Sequence, residues 1–141
     1  MKTTFVSILI ALAGSALAAG NADTTAVCNY LESKYSNYFA WDPLSVNGLK
    51  DSNNASVYHE INSVWWNQAN SLLRSSCAFF PANAQQVADA VQQLDKYPQA
   101  NFALKSGGHQ PAPGFSATDG GVMISFAVSY THLTLPTKRI V

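Results

Sequence analysis

The strongest constraint on this chain is the glycine-rich stretch Lys105-Ser106-Gly107-Gly108-His109-Gln110-Pro111-Ala112-Pro113-Gly114-Phe115. It lies between two short apolar runs, Phe102-Ala103-Leu104 before it and Val122 to Phe126 after the Asp119-Gly120-Gly121 turn. Each run has the length of a strand, so the chain leaves one strand, crosses a loop poor in side-chain bulk and enters another. Two adjacent glycines leave successive backbone N–H groups unobstructed, and such amides converge on an anion as a nest. A phosphate is the natural guest, and His109 places the loop's only ring nitrogens beside it. The spacing is neither a Walker loop nor Gly-x-Gly-x-x-Gly. An isolated Gly-Gly-His also reads as a tight turn with a surface histidine.

The elements upstream place this loop. Ala78-Phe79-Phe80 reads as a strand ended by Pro81. Asn83 is a plausible N-cap with Gln86 three residues on, a capping-box arrangement. The helix Asn83 to Asp95 comes next, with Val87, Ala90, Val91 and Leu94 on one face and Gln85, Asp89, Gln92 and Gln93 on the other. Strand, helix and strand in this order predict a β-α-β unit with a right-handed crossover. The glycine-rich loop then sits at the carboxyl end of a strand, where α/β layers bind ligands. The class is therefore α/β (α+β), a small mixed sheet with packed helices.

Nearer the start, Thr24 or Thr25 can cap a helix through Lys34, with Val27, Leu31 and Tyr30 facing inward. Tyr35 to Asn54 shows no clean period and carries Pro43 and Gly48, so it reads as extended or irregular. Between Tyr58 and Leu73, Trp65 and Trp66 offer either a sugar platform or core packing, and packing is the commoner fate.

Charge and export narrow the function classes. Eight basic residues balance eight acidic ones, with 11% charged overall. This leaves no basic face for nucleic acid and no polybasic membrane anchor. Lys2, the apolar Phe5 to Leu12 and the small residues around Ala16-Leu17-Ala18 read as a signal peptide over 1–18. That apolar run is too short for the roughly 20 residues of a membrane span. The mature chain is expected to be secreted and extracellular. Export favours pairing Cys28 with Cys77, the alternative being two unrelated buried thiols. His59, His109 and His132 lack metal-ligand spacing. Asn54-Ala55-Ser56 is the single glycosylation sequon, beside the polar Asp51-Ser52-Asn53, and is expected to be exposed.

With these residues in view, Ser106-Gly107-Gly108-His109 resembles the flavin-attachment loop of FAD-linked oxidases. The superfamily is that of vanillyl-alcohol oxidase and p-cresol methylhydroxylase, and the likeness is to its berberine-bridge-type, fungal-like members. Gly114 and the Asp119-Gly120-Gly121-Val122 turn match the positions downstream of the loop in that family, and Lys105 stands where it often has arginine. Tyr58, Trp65 or Trp66, and Cys77 also fall in the family's order, with Ser76 where proline is frequent. The resemblance implies the N-terminal lobe of a p-cresol methylhydroxylase-type FAD-binding domain, incomplete here. It implies FAD held by Lys105, Ser106, Gly107, Gly108, His109, Gln110 and Gly114, with His109 bonded covalently to the flavin. His109 is then a tether and not a catalytic base, so no catalytic residue is assigned. The family passes a hydride from a small-molecule substrate to the flavin, and dioxygen reoxidises it. Many members add a second tether through a downstream cysteine, whereas both cysteines here lie upstream of the loop.

The resulting division is a signal peptide (1–18), a helical and irregular segment (19–74), a partial FAD-binding domain (75–127) and a non-native tail (128–141). The other reading of the tail is a genuine strand, since Thr131, Leu133 and Leu135 alternate with other residues. The substrate domain is expected to be missing, leaving this piece inactive by itself. The competing class is a small secreted binding or structural protein held by one disulfide, which leaves the Gly-Gly-His loop without a role.

Overall fold

A computed structural model describes residues 20–45, 47–49 and 54–126. The signal segment 1–18, Asp51-Ser52-Asn53, Ala127 and the tail 128–141 lie outside the described residues. Helix α1 spans Ala22–Tyr35. Its cap is Asn21, whose Oδ1 accepts the Thr24 N–H at 2.8 Å, where the sequence suggested Thr24 or Thr25. Thr24 is instead buried inside the first turn, and Val27, Cys28 and Leu31 continue its face into the core. Strand β1, Phe39–Trp41, occupies part of the stretch expected to be extended or irregular. Three residues buried on both faces show no alternation, so periodicity could not reveal it.

Helix α2 (Ala55–Ser63) and a 3₁₀ turn (Gln68–Leu72) come next, followed by β2 (Cys77–Phe79). Then come α3 (Ala84–Lys96), β3 (Phe102–Lys105) and β4 (Val122–Ser125). The sheet runs β1-β2-β4-β3. β1 is antiparallel to β2, while β2, β4 and β3 are parallel. The β2-α3-β3 connection thus skips one place, which β4 fills. The molecule is mixed α/β, with a small four-stranded mixed sheet between helices, as the residue pattern suggested.

Both sheet faces are covered. On one, Val27, Cys28 and Leu31 of α1 and Ala90 and Leu94 of α3 meet Phe39, Trp41, Phe79, Val122 and Ile124. On the other, Tyr58 and Ile61 of α2, together with Trp65, meet Ala40, Ala78 and Met123. Cys28 and Cys77 are joined, with Cα atoms 6.1 Å apart, tying α1 to β2. Of the adjacent pair Trp65 and Trp66, Trp65 packs in the core while Trp66 is 70% exposed.

The inward face of α3 differs from the expected one. Gln86, Asp89, Ala90, Gln93 and Leu94 are buried, Val87 is half-buried and Val91 is 54% exposed. The cause is polar pairing with a neighbour. Asp89 accepts from Lys34 Nζ at 2.5 Å and from the Tyr35 hydroxyl, both at the end of α1. That rotates the Asp89 side of α3 toward α1 and turns Val91 outward. Phe102 and Leu104 are likewise about half exposed. They share the α1/α3 face by register with Val122 and Ile124, but β3 is the edge of the described sheet. The Asn83 cap is as expected, accepting the Gln86 N–H at 3.0 Å. Gln86 reaches one residue further back than a capping box requires and accepts the Ala82 N–H at 2.7 Å. Among the described residues, no helix is long and apolar enough to cross a membrane.

Candidate functional site

β3 ends at Lys105 and the chain enters the glycine-rich loop at the carboxyl edge of the parallel strands. Gly108 has φ +71°, a left-handed conformation that side chains resist. A Cβ there would also stand 2.5 Å from the Val64 carbonyl oxygen. That close approach is fixed by a backbone bond, in which the Trp66 N–H donates to the Gly108 carbonyl at 2.9 Å. Gly107 is different. It is exposed, and the nearest atom to its notional Cβ is His109 Nδ1 at 3.9 Å. Among the described residues, the N–H groups of Ser106, Gly107, Gly108 and His109 donate to no other protein group. Four successive unengaged amides, one glycine open to solvent and a left-handed residue beside it are the features an anion such as a pyrophosphate would use. The residues present therefore fit the phosphates of a dinucleotide.

Ser106, Gly107, His109, Gln110 and Gly114 are exposed, and Gly108 is buried against Val64. Lys105 is only 2% exposed. Its ammonium donates to the Ile61 carbonyl and lies 4.1 Å from the centre of the Trp65 ring. Burial pulls its pKa down to about 8. Its charge thus supports the loop from beneath, and Lys105 Cε lies 3.2 Å from the notional Cβ of Gly108.

The far side of the loop is fastened to the chain just before β2. Asn67 Nδ2 donates to the Pro111 carbonyl at 2.6 Å and Asn70 Nδ2 to the Gln110 carbonyl at 3.2 Å. The Gly114 N–H donates to Asn70 Oδ1 at 3.3 Å. Sequence reasoning missed Ile61, Asn67 and Asn70 altogether, and it named Trp66 without linking it to the loop. The available signal was the Asn-x-x-Asn spacing in a segment flanked by Trp66 and Leu72, which sets two carboxamides on one side of a 3₁₀ turn. The Asp119-Gly120-Gly121 turn is also tied down: Ser76 donates its N–H to Gly121 O at 2.8 Å and its hydroxyl to Gly120 O at 2.9 Å. A proline at 76 would lose both bonds.

Other polar groups serve the frame. Asp42 accepts from Arg74 Nε at 3.0 Å and also from its Nη2. Burial pushes the Tyr58 hydroxyl up to about 12, and it donates to Ser75 O at 2.7 Å. Asn54, the sequon residue, is half-buried at the start of α2, and its Nδ2 donates to Phe39 O at 2.7 Å. An open cleft of about 220 Å³ is lined by His59, Asn62, Ser63, Gln68, Ser71 and Arg74, none of them a loop residue.

Comparison with known proteins gives this site a context. No family model matches the chain, and no solved structure matches it significantly. Curated relatives do. An uncharacterised FAD-linked oxidoreductase of Arthroderma benhamiae is 36% identical over 75 residues, 53% of this chain and 15% of that protein. An FAD-dependent monooxygenase of Fusarium proliferatum is 31% identical over 134 residues, 88% of this chain and 24% of that protein. The bifunctional solanapyrone synthase of Alternaria solani is 40% identical over 52 residues, 37% of this chain and 10% of that protein. The chain thus spans a quarter or less of the length of these relatives. FAD stands in the printed names of the Arthroderma and Fusarium relatives, and this does not favour a small structural protein without a cofactor. At about 31–36% identity, the similarity to proteins named FAD-linked oxidoreductases and FAD-dependent monooxygenases supports an FAD-dependent oxidoreductase family for this chain.

Proposed function

We propose that this chain is the N-terminal part of a secreted, berberine-bridge-type FAD-dependent oxidase, and that its sheet is the first lobe of a p-cresol methylhydroxylase-type FAD-binding domain. The observation that carries this reading is the run of unengaged amides from Ser106 to His109 at the end of β3. Ser106, Gly107 and Gly108 hold the pyrophosphate by backbone N–H groups, with Gly107 as the face of closest approach. Lys105 does not touch the cofactor; from its buried position it fixes the loop's first residue and adds positive charge beneath the phosphates. His109 projects next to Gly107 and is the attachment point for the flavin ring. Gln110 and Gly114 complete the loop. When bound, FAD supplies two-electron oxidation of a small-molecule substrate with dioxygen as the final acceptor. The substrate-contacting groups are supplied by the part of the relatives' length that this chain does not span. Export rests on the 1–18 segment and agrees with the Cys28–Cys77 bridge.

The test uses full-length protein made from the longer gene. It should purify yellow, with flavin that stays on the acid-precipitated polypeptide. His109→Ala should still bind FAD, because the amide cradle is intact, but no flavin should be found on the peptide that carries position 109. Proteolysis of the wild type that leaves the 105–115 peptide free of flavin would sink the tether assignment, whatever a downstream cysteine holds, and a colourless wild type would sink the flavin reading itself.

A further inference from the structure

The second half of the glycine-rich loop cannot hold its own shape. Pro111 and Pro113 offer no N–H. The Ala112 N–H makes a single long bond, at 3.4 Å, to the Gln110 side chain. The side chain that spans this stretch is Asn70, which is fully buried. A carboxamide carries a donor and an acceptor side by side. Asn70 uses the first on the Gln110 carbonyl and the second on the Gly114 N–H, so one side chain grips the loop at both ends of its proline segment. Its own backbone is set by the 3₁₀ turn, with its N–H on Asn67 O at 3.0 Å and its carbonyl taking the Leu73 N–H at 3.2 Å. Asn67, three residues earlier, caps Ala69 N–H at 3.0 Å and reaches Pro111 O. Side chains three apart eclipse on a 3₁₀ turn, so both carboxamides face the loop. The Trp66 N–H on Gly108 O extends the same contact to the amide cradle.

We propose that Asn70 is a positioning residue of the anion-binding loop, setting the arc from Gln110 to Gly114 and through it the place of Gly107, Gly108 and His109, without touching the ligand. Its functional meaning rests on the dinucleotide reading of the loop; the geometric role does not.

The experiment monitors backbone amide resonances and hydrogen exchange in the whole 141-residue chain. Asn70→Ala should move the resonances of Gly107, Gly108 and His109 together with those of Gln110 and Gly114. It should also speed exchange at Gly114 by about tenfold or more, while Ala78 and Met123 keep theirs. Asn70→Asp is the discriminating variant. Ionised, it retains only acceptors and should behave like Asn70→Ala near neutral pH. Protonated, it regains one donor and one acceptor and should return toward the wild-type spectrum. Burial raises the carboxyl pKa, which brings this recovery into a measurable range. Lys105 and His109 are the loop's own titratable groups, so Asn70→Ala over the same pH range is the control. Changes confined to Gln110 and Gly114, or no recovery of Asn70→Asp on acidification, would overturn the proposal. If Asn70→Ala loses protection at Ala78 and Met123 as well, the two protonation states of Asn70→Asp decide the matter within one molecule. A full-length wild type without FAD would remove the flavin reading and leave these resonances to decide the role of Asn70.

Discussion

Gly107 and Gly108 are adjacent and chemically identical, yet their surroundings assign them separate tasks. At Gly108 a side chain meets both a left-handed φ and the Val64 carbonyl. Gly108→Val should therefore destabilise the fold by about 2 kcal/mol or more, read as a lower urea midpoint. At Gly107 there is room for a side chain, and on the proposed reading it would occupy the space a phosphate needs. Gly107→Val should leave the urea midpoint near wild type and lower FAD affinity of the full-length protein at least about tenfold. Lys105 makes a different prediction. Its folded-state pKa of about 8 lies below the ordinary 10.5. Between those values the unfolded chain holds the extra proton, so stability rises with pH there and is independent of this group below about 8. Tyr58, pushed up to about 12, opposes this only above about pH 10. Urea midpoints should rise from about pH 7.5 to about pH 9.5 in wild type, and Lys105→Met should flatten the rise.

At the scale of elements, helix α3 is held to α1 through Asp89. Hydrogen bonds from Lys34, Tyr35 and Gln85 draw its pKa down to about 2. A depressed carboxylate stabilises above its ordinary value and loses that contribution as pH falls toward the folded-state value. Unfolding midpoints should therefore drop between about pH 4 and about pH 2 in wild type. Asp89→Asn should start lower and be flatter across that window. The same contact explains how much could be read in advance. The existence of α3 was legible from its capping residue and its 3.6-residue apolar spacing, and β2, β3 and β4 from short apolar runs with Pro81 or glycines beside them. Which face of α3 turns inward was not legible, because the partners of Asp89 lie on α1, some 54 residues earlier in the chain. β1 was read no further than extended or irregular, because Phe39–Trp41 is buried on both faces and shows no alternation. In the site, Ser106 to His109 announced themselves by bare backbone. Asn67 and Asn70 did not, because their partners are carbonyl and N–H groups that carry no sequence signature.

Across the whole molecule, the Cys28–Cys77 bridge joins the first helix to a central strand over a sequence separation of 49 residues. In the chain-entropy view a loop of that length contributes on the order of 4 kcal/mol. A double Cys28→Ala, Cys77→Ala variant should unfold well below wild type in a thermal scan, and dithiothreitol should affect wild type alone. Asn54 gives a second check on how the halves join. Its amide bridges α2 to the end of β1, so Asn54→Ala should cost about 1–2 kcal/mol even in protein made without glycosylation.

The hold of Asn67 and Asn70 on the loop has a practical consequence for anyone cutting or transplanting this protein. By composition, 75–127 looks like a self-contained cofactor module, and an expression fragment beginning at residue 75 would keep every glycine of the motif. It would discard β1, which pairs with β2, and the turn on which the loop is laid. The tetrapeptide Ser106-Gly107-Gly108-His109 is therefore not a portable cassette. Grafted onto another α/β scaffold it needs the 61–70 segment as its cradle, and directed-evolution libraries for this loop should vary the two segments together.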